Sequence, residues 1–176
     1  MKYDSHDTPD QIERRQRLLK EAAVGASIVV AGRVGSGTTT LLARLTACVP
    51  ADRRLISLAP IPEFEIRSRN AIEIRVQTGA APIVEAAVGS WRQPVCILLG
   101  DLAFADPLPA SLYEAAAHPE RAAQILGCVH GVHAAQAIDA ADPGDIGWID
   151  YVVLMDERAP GRIREIVARN GRSEAA

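Results

Sequence analysis

The sequence predicts an α/β domain in which helices cover both faces of a mainly parallel β-sheet. Short apolar runs typical of buried strands alternate with segments whose apolar residues recur at helical spacing. The run 95–99 is apolar at every position, as in a parallel strand that is buried on both faces. A turn at 158–161 and a further strand-like segment predict a C-terminal antiparallel hairpin. The expected architecture is a three-layer sandwich.

The elements follow from periodicity and from residues that interrupt it. Gly25 ends the first helix, and Pro50 cannot continue the second. The predicted helices span 10–24, 39–45, 83–91, 106–117 and 134–140, and the predicted strands span 27–31, 55–58, 72–76, 95–99, 123–129, 151–155 and 162–168. We expect an N-terminal tail and helix (1–24), one domain (25–170) and a short tail (171–176).

Length and composition narrow the function classes. A chain of 176 residues is long enough for one domain with a full core. The net charge of −3 argues against a protein that binds nucleic acid over its whole surface, although it leaves a local basic patch open, and no apolar run approaches the length needed to cross a bilayer. The start lacks the apolar core of a secretory signal, so we expect a cytoplasmic protein. Its three cysteines stand in apolar stretches and are expected to be reduced, buried thiols.

The stretch 32–39, Gly-Arg-Val-Gly-Ser-Gly-Thr-Thr, has the spacing of a phosphate-binding loop, with threonine in place of the lysine. It lies between a predicted buried strand and a predicted helix, which is the context that this motif requires. Glycines allow the main chain to approach phosphates closely, and the helix N-terminus adds its positive dipole end. Thr39 occupies the position of a magnesium-binding hydroxyl. The expected cofactor-binding residues in this stretch are Gly32, Gly35, Ser36, Gly37, Thr38, Thr39 and Thr40.

Thr38 cannot supply the charge that the lysine normally brings to the β- and γ-phosphates. Losing one hydrogen bond to a charged group weakens binding roughly ten- to a hundredfold. Three interpretations follow: a weak or vestigial site, a working site in which Arg33 or Arg44 replaces the lysine, and a glycine-rich turn that matches by chance.

The residues 28–76 and 95–101 resemble the type II/IV secretion ATPases, the motors of conjugal transfer and pilus assembly. The double threonine followed by Leu41-Leu42 is the more specific part of the match. The resemblance implies a P-loop NTPase fold of the RecA-like kind, ATP or ADP with Mg²⁺ as ligand, and a homo-oligomer, hexameric in that family, or a complex with an active motor. It is compatible with peripheral association with the inner membrane, since no transmembrane segment is expected from the apolar runs.

The same resemblance implies roles for residues outside the loop. Asp101 follows the strand 95–99, where the family has a glutamate that acts on magnesium and water. Glu63 matches a conserved acid of the family motif, His130 matches its histidine box, and Arg75 lies where the family often has an arginine. The expected catalytic residues are thus Asp101, Glu63 and His130, with Thr39 and Asp101 as metal ligands and Arg75 as a cofactor-binding residue. His130 as a structural residue and Asp101 as a strand terminator stay open.

The sequence departs from the family pattern at positions that carry catalytic or phosphate-binding groups in the family, since Thr38 replaces the lysine and Ala59-Pro60 replaces an acidic pair. This indicates a degenerate ATPase-like subunit of a secretion or conjugal-transfer system, with weak or absent hydrolysis and a nucleotide-binding or scaffold role. The alternative is an active motor with a substitute for the lysine. An unrelated P-loop protein such as a small-molecule kinase is a third hypothesis, although no acceptor motif supports it.

Overall fold

A computed structural model of the chain describes residues 7–59, 66, 70–75, 95–100, 110–117, 123–131, 133–142 and 147–169. In chain order the elements are α1 (Pro9–Ala23), β1 (Ile28–Gly32), α2 (Thr38–Thr46), β2 (Arg54–Ala59), β3 (Ala71–Arg75), β4 (Val95–Leu99), α3 (Ala110–Ala117), β5 (Ala123–His130), α4 (Ala134–Ala141), β6 (Tyr151–Met155) and β7 (Ile163–Ala168). The helix predicted over 83–91 lies outside the described residues.

The strands form one sheet in the order β3-β2-β4-β5-β1-β6-β7. The first six are mutually parallel, and β7 pairs antiparallel with β6. The predicted α/β class, the mainly parallel sheet and the C-terminal antiparallel hairpin are therefore confirmed. Strand β1 is central, with β5 on one side and β6 on the other, and all its residues are buried.

Helices pack on both faces of the sheet because successive side chains of each buried strand point to opposite sides. On one face, Leu18 of α1 and Leu42 of α2 pack with Ile28 and Val30 of β1. On the other face, the two remaining helices pack with the alternate residues of the strands, Val29 and Ala31 in the case of β1. This gives the three layers expected from the sequence.

Burial controls the cysteine chemistry. All three cysteines are free, and Cys96 and Cys128 are buried while Cys48 is half-buried. Desolvation raises the pKa of Cys96 to about 12, against a weaker lowering effect of the nearby Arg53 charge, and it also raises the pKa of Cys48. The Cys96 thiol is therefore protonated and inert at neutral pH.

Helix α1 is held on the sheet at both of its ends. Thr8 caps its start by accepting a hydrogen bond from the Gln11 amide at 3.4 Å. At its end, the side-chain amide of Gln124, buried at the start of β5, donates to the carbonyls of Ala22 and Ala26, each at 2.9 Å. The N-terminal helix thus shares the core of the sheet.

Parallel strands place their carboxyl ends along one edge of the sheet, where open α/β folds bind ligands. Strand β1 ends there at Gly32, beside His130, its register partner at the end of β5. Helix α2 begins at this edge, whereas Lys20 and the end of α1 lie toward the opposite, amino edge. None of the helices in the described ranges is long and apolar enough to cross a membrane.

Candidate phosphate-binding site

The segment 33–37 joins the end of β1 to the start of α2, as the motif requires. Gly35 and Gly37 have φ of +84° and +96°, in the left-handed region that glycine adopts without strain. Between them the chain turns tightly, with the Ser36 amide donating to the Arg33 carbonyl at 3.0 Å. Gly37 is the N-cap of α2 and makes no side-chain cap to the first turn. The positive end of the helix dipole therefore faces the interior of the loop.

Gly32 allows the loop to fold back against the strand that precedes it. A Cβ at this position would overlap Ser36 Oγ and would lie 3.0 Å from both Met155 Cβ and Thr38 Cγ2. Only glycine fits this packing without displacement of its neighbours. The loop is thus built closely around the end of β1.

Ser36 carries a buried hydroxyl at the base of the loop. Its side chain lies against Gly32, the residue is 4% exposed, and Oγ has no hydrogen-bond partner among the described residues. A hydroxyl can donate as well as accept, and a buried one without a partner costs free energy. The described residues thus leave the hydrogen-bonding capacity of this hydroxyl, at the junction of the loop and β1, unused.

Thr38 opens α2 at the position of the motif lysine. The residue is half-buried, and its methyl group packs toward Gly32. Of the two lysines in the chain, Lys20 lies on α1 toward the other edge of the sheet and Lys2 lies outside the described residues. Neither the threonine nor the described lysine can place an ammonium group in the loop.

The two arginines that could have replaced the lysine differ in position. Arg33 has its Nε 3.1 Å from Glu157 Oε2, and its side chain is 70% exposed. It therefore forms an ion pair on the outer side of the loop. Arg44 lies in the last turn of α2, about 9 Å of helix rise from Thr38. Of these two candidates, only Arg33 belongs to the loop, and it pairs with a carboxylate.

The turn between β6 and β7 supports the loop from outside. The amide of Gly161 donates to the Ser36 carbonyl at 2.8 Å. A Cβ on Gly37 would lie 3.1 Å from both the Cα and the N of Gly161, so the two backbones touch at a pair of glycines. Sequence reasoning identified this turn at 158–161 and missed its contact with the loop.

Helix α1 completes this support. The buried Arg15 donates to the Gly161 carbonyl at 2.6 Å and forms an ion pair with Asp7. The side chain of Gln11 forms two hydrogen bonds with the backbone of Ile163, at 2.9 and 2.8 Å. A continuous set of contacts therefore runs from the first described residue of the chain to the loop. Nothing in the local sequence pattern of α1 indicated this role.

Among the described site residues that were predicted outside the loop, His130 lies closest to it. It pairs with Gly32 in the register of β1 and β5, and it is exposed. Gly100, which follows β4, lies one strand farther, where its carbonyl accepts a hydrogen bond from the Cys128 thiol. Asp101 is the next residue in sequence and lies outside the described residues, as does Glu63. Their predicted roles stay predictions.

Arg75 is far from the loop of its own chain. It ends β3, the strand at one margin of the sheet, and its side chain is exposed. Three strands separate β3 from β1, so at about 4.8 Å per strand the two strands are ~19 Å apart. The structure therefore groups the loop residues and His130 but leaves Arg75 apart.

The order of strands and the loop at the end of β1 define the fold of a P-loop NTPase. No protein-family model matches the chain, and no curated protein matches it. Among solved structures, the chain is similar to the VirB11 ATPase from the Brucella suis type IV secretion system in complex with sulphate, with a TM-score of 0.63 and 20% sequence identity. The match covers 96% of this chain and 60% of that one. This likeness shows that the fold is shared.

Proposed function

We propose that this protein is a degenerate ATPase-like subunit of a secretion or conjugal-transfer system. It binds a nucleotide weakly at the 32–40 loop, hydrolyses it slowly or not at all, and acts as a scaffold or regulatory subunit. The observation that carries the proposal is a glycine-rich loop between β1 and α2 in which Gly35 and Gly37 are left-handed and Thr38, instead of lysine, begins the helix. The sequence resemblance and the VirB11-like fold support the choice of system.

The main chain of the loop supports phosphate binding. Gly35 and Gly37 keep the left-handed conformations, α2 presents its N-terminus, and Ser36 Oγ is buried without a partner. Amides and helix dipoles bind anions without a side-chain cation. The VirB11 structure was determined in complex with sulphate, a tetrahedral anion like the phosphate group. We infer that ATP or ADP binds here, with Mg²⁺ on Thr39 and Asp101.

Weak hydrolysis follows from the loss of the cation. Negative charge moves on the phosphates in the transition state, and preorganised positive groups supply most of its stabilisation. Thr38 supplies none, and Arg33 is engaged by Glu157. We assign Asp101 to magnesium and water, and Glu63 and His130 to the remaining catalytic positions, because the resemblance places them there.

Arg75 supports an assembly. Because its strand lies ~19 Å from β1, we assign Arg75 to a nucleotide held by a neighbouring subunit rather than to one at the loop of its own chain. That subunit is a second copy in a ring or an active motor ATPase. The assembly works in the cytoplasm, with any membrane contact peripheral.

Turnover separates the two candidate functions. We expect assembled wild-type protein with Mg²⁺ and ATP to release no phosphate above the level of the Asp101→Asn variant, with assembly checked by a mass measurement in solution. Turnover that Asp101→Asn abolishes would establish the alternative, an active motor in which another cation replaces the lysine. A rise in turnover for Thr38→Lys would show that the other catalytic groups are competent and would argue against a purely structural role.

A further inference from the structure

The loop has the backbone groups that bind the first two phosphates of a nucleotide, but its position 38 lacks the positive charge that normally contacts the third. We propose that it binds a nucleoside diphosphate in preference to the corresponding triphosphate. This inference rests on the proposed nucleotide-binding function and adds the ligand class. It follows from which contacts of the loop are main-chain atoms and which depended on the missing lysine.

The backbone contacts to the first two phosphates are retained, so the β-phosphate loses only its contact with the lysine, whereas the γ-phosphate loses the main charge that it would meet. In loops of this type the amides cradle the α- and β-phosphates, while the lysine reaches the β- and γ-phosphates. Replacing a side chain at position 38 removes no amide. The left-handed Gly35 and Gly37 and the N-terminus of α2 are those of an intact loop.

Ser36 adds a second, independent indication of a ligand in the loop. Its Oγ is buried against Gly32 and has no partner among the described residues. A hydroxyl in that state is satisfied when an acceptor such as a phosphate oxygen enters the loop. The serine does not depend on the residue at position 38.

The contacts to a third phosphate are lost. Thr38 packs its methyl group toward Gly32 and has no charge to offer. The neighbouring Arg33 is paired with Glu157, whose carboxylate adds negative charge at the margin of the loop. A γ-phosphate therefore brings additional negative charge to a place where the residues that the structure describes provide no compensating lysine. We expect a loss of roughly ten- to a hundredfold in affinity for the triphosphate relative to a loop with lysine.

The loop keeps its shape without a cation because other parts of the chain hold it. Gly161 donates to the Ser36 carbonyl, and Arg15 in turn holds the Gly161 carbonyl. The amides are thus preorganised before any ligand binds, which lowers the entropy cost of binding. The absence of the lysine therefore lowers the affinity for a triphosphate more than the affinity for a diphosphate, while the loop keeps its shape.

Calorimetric titration with ADP and with the non-hydrolysable β,γ-imido analogue of ATP tests the inference. Each is titrated into the assembled protein with Mg²⁺ and again with EDTA. We expect the wild-type protein to bind ADP more tightly than the analogue. Equal affinity, or tighter binding of the analogue, would overturn the inference.

Two variants identify the cause. Thr38→Lys is expected to raise the affinity for the analogue by roughly ten- to a hundredfold and that for ADP by less, so the preference for ADP falls. Ala47→Lys adds the same charge at the exposed C-cap of α2 and should leave the preference unchanged. An equal effect of both lysines would overturn the argument from position 38.

Failure of the proposed function gives a different result. If neither the wild-type protein nor Thr38→Lys binds either nucleotide, while circular dichroism shows both folded, nucleotide binding itself is refuted. If only Thr38→Lys binds, the diphosphate preference is refuted and a scaffold role for the wild-type protein stands. The wild-type titrations alone decide the preference if Thr38→Lys does not fold.

Discussion

Gly32→Ala tests how closely the loop is built around the end of β1. The added Cβ would overlap Ser36 Oγ and would stand 3.0 Å from Met155 Cβ and Thr38 Cγ2. Real side chains seldom pack at such distances, so the loop or the β6–β7 turn must shift. Overpacking of this kind costs about 1–3 kcal/mol.

The expected loss can be measured as a melting temperature. For a domain of this size, each kcal/mol lowers the Tm by about 2–4 °C, so Gly32→Ala should lower it by ~2–12 °C. Gly131→Ala is the matched control, because its φ is outside the left-handed region and its nearest new contact would be 3.8 Å away. That control should be neutral or stabilising by about 0.4–1 kcal/mol.

A double variant identifies the atom responsible. Ser36→Ala removes the overlapping Oγ, which has no partner to lose among the described residues. Gly32→Ala with Ser36→Ala should therefore be more stable than the sum of the single changes predicts, by about 0.5–3 kcal/mol. If Gly32→Ala has the same melting temperature as Gly131→Ala, or if adding Ser36→Ala to Gly32→Ala recovers none of the lost stability, the packing argument is wrong.

Three further predictions concern the support of the loop and the core. Arg15→Met leaves the buried Asp7 carboxylate without its ion pair, so the free energy of unfolding measured in urea should fall by about 3–5 kcal/mol. Arg14→Met is the control because Arg14 belongs to a more exposed ion pair, and it should lower the free energy of unfolding much less. Equal losses in the two variants would contradict this account. Gln124→Met removes both hydrogen bonds that hold the end of α1 and should cost about 1–3 kcal/mol, with faster amide exchange near Ala26 as the specific sign. The pKa of Cys96 is raised from 9.0 to about 12 in the folded protein, so the unfolded chain loses this proton first and the free energy of unfolding should fall between pH 9 and pH 12. Cys96→Ala should remove this part of the decline. If the variant and the wild-type protein show the same pH profile, the prediction is refuted.

Local patterns were sufficient for the elements that the structure describes and for the class of fold. Strand β6 was predicted at its observed bounds, and the apolar run 95–99 was identified as a central strand. Burial on both faces removes polar residues from a parallel strand, so these segments are recognisable without any knowledge of their neighbours. The glycine spacing of the loop is also a local pattern, because the left-handed conformations of Gly35 and Gly37 belong to a turn of only a few residues.

Long-range contacts could not be predicted in this way. The hydrogen bond from Gly161 to Ser36 joins residues that are 125 positions apart, and the ion pair of Arg33 with Glu157 joins residues that are 124 positions apart. The sequence named Arg33 as a substitute cation, and only the fold shows that a carboxylate from the β6–β7 turn engages it.

The sequence by itself determined the succession of the described strands and helices along the chain, the glycine spacing of the loop and the threonine in place of its lysine, because these depend on residue type and short spacing. The tertiary structure decided which strands became neighbours, and with them that His130 lies beside Gly32 while Arg75 lies at the far margin. The physical reason is that strand order is set by packing and crossover connections over the whole chain. No short window of residues contains that information.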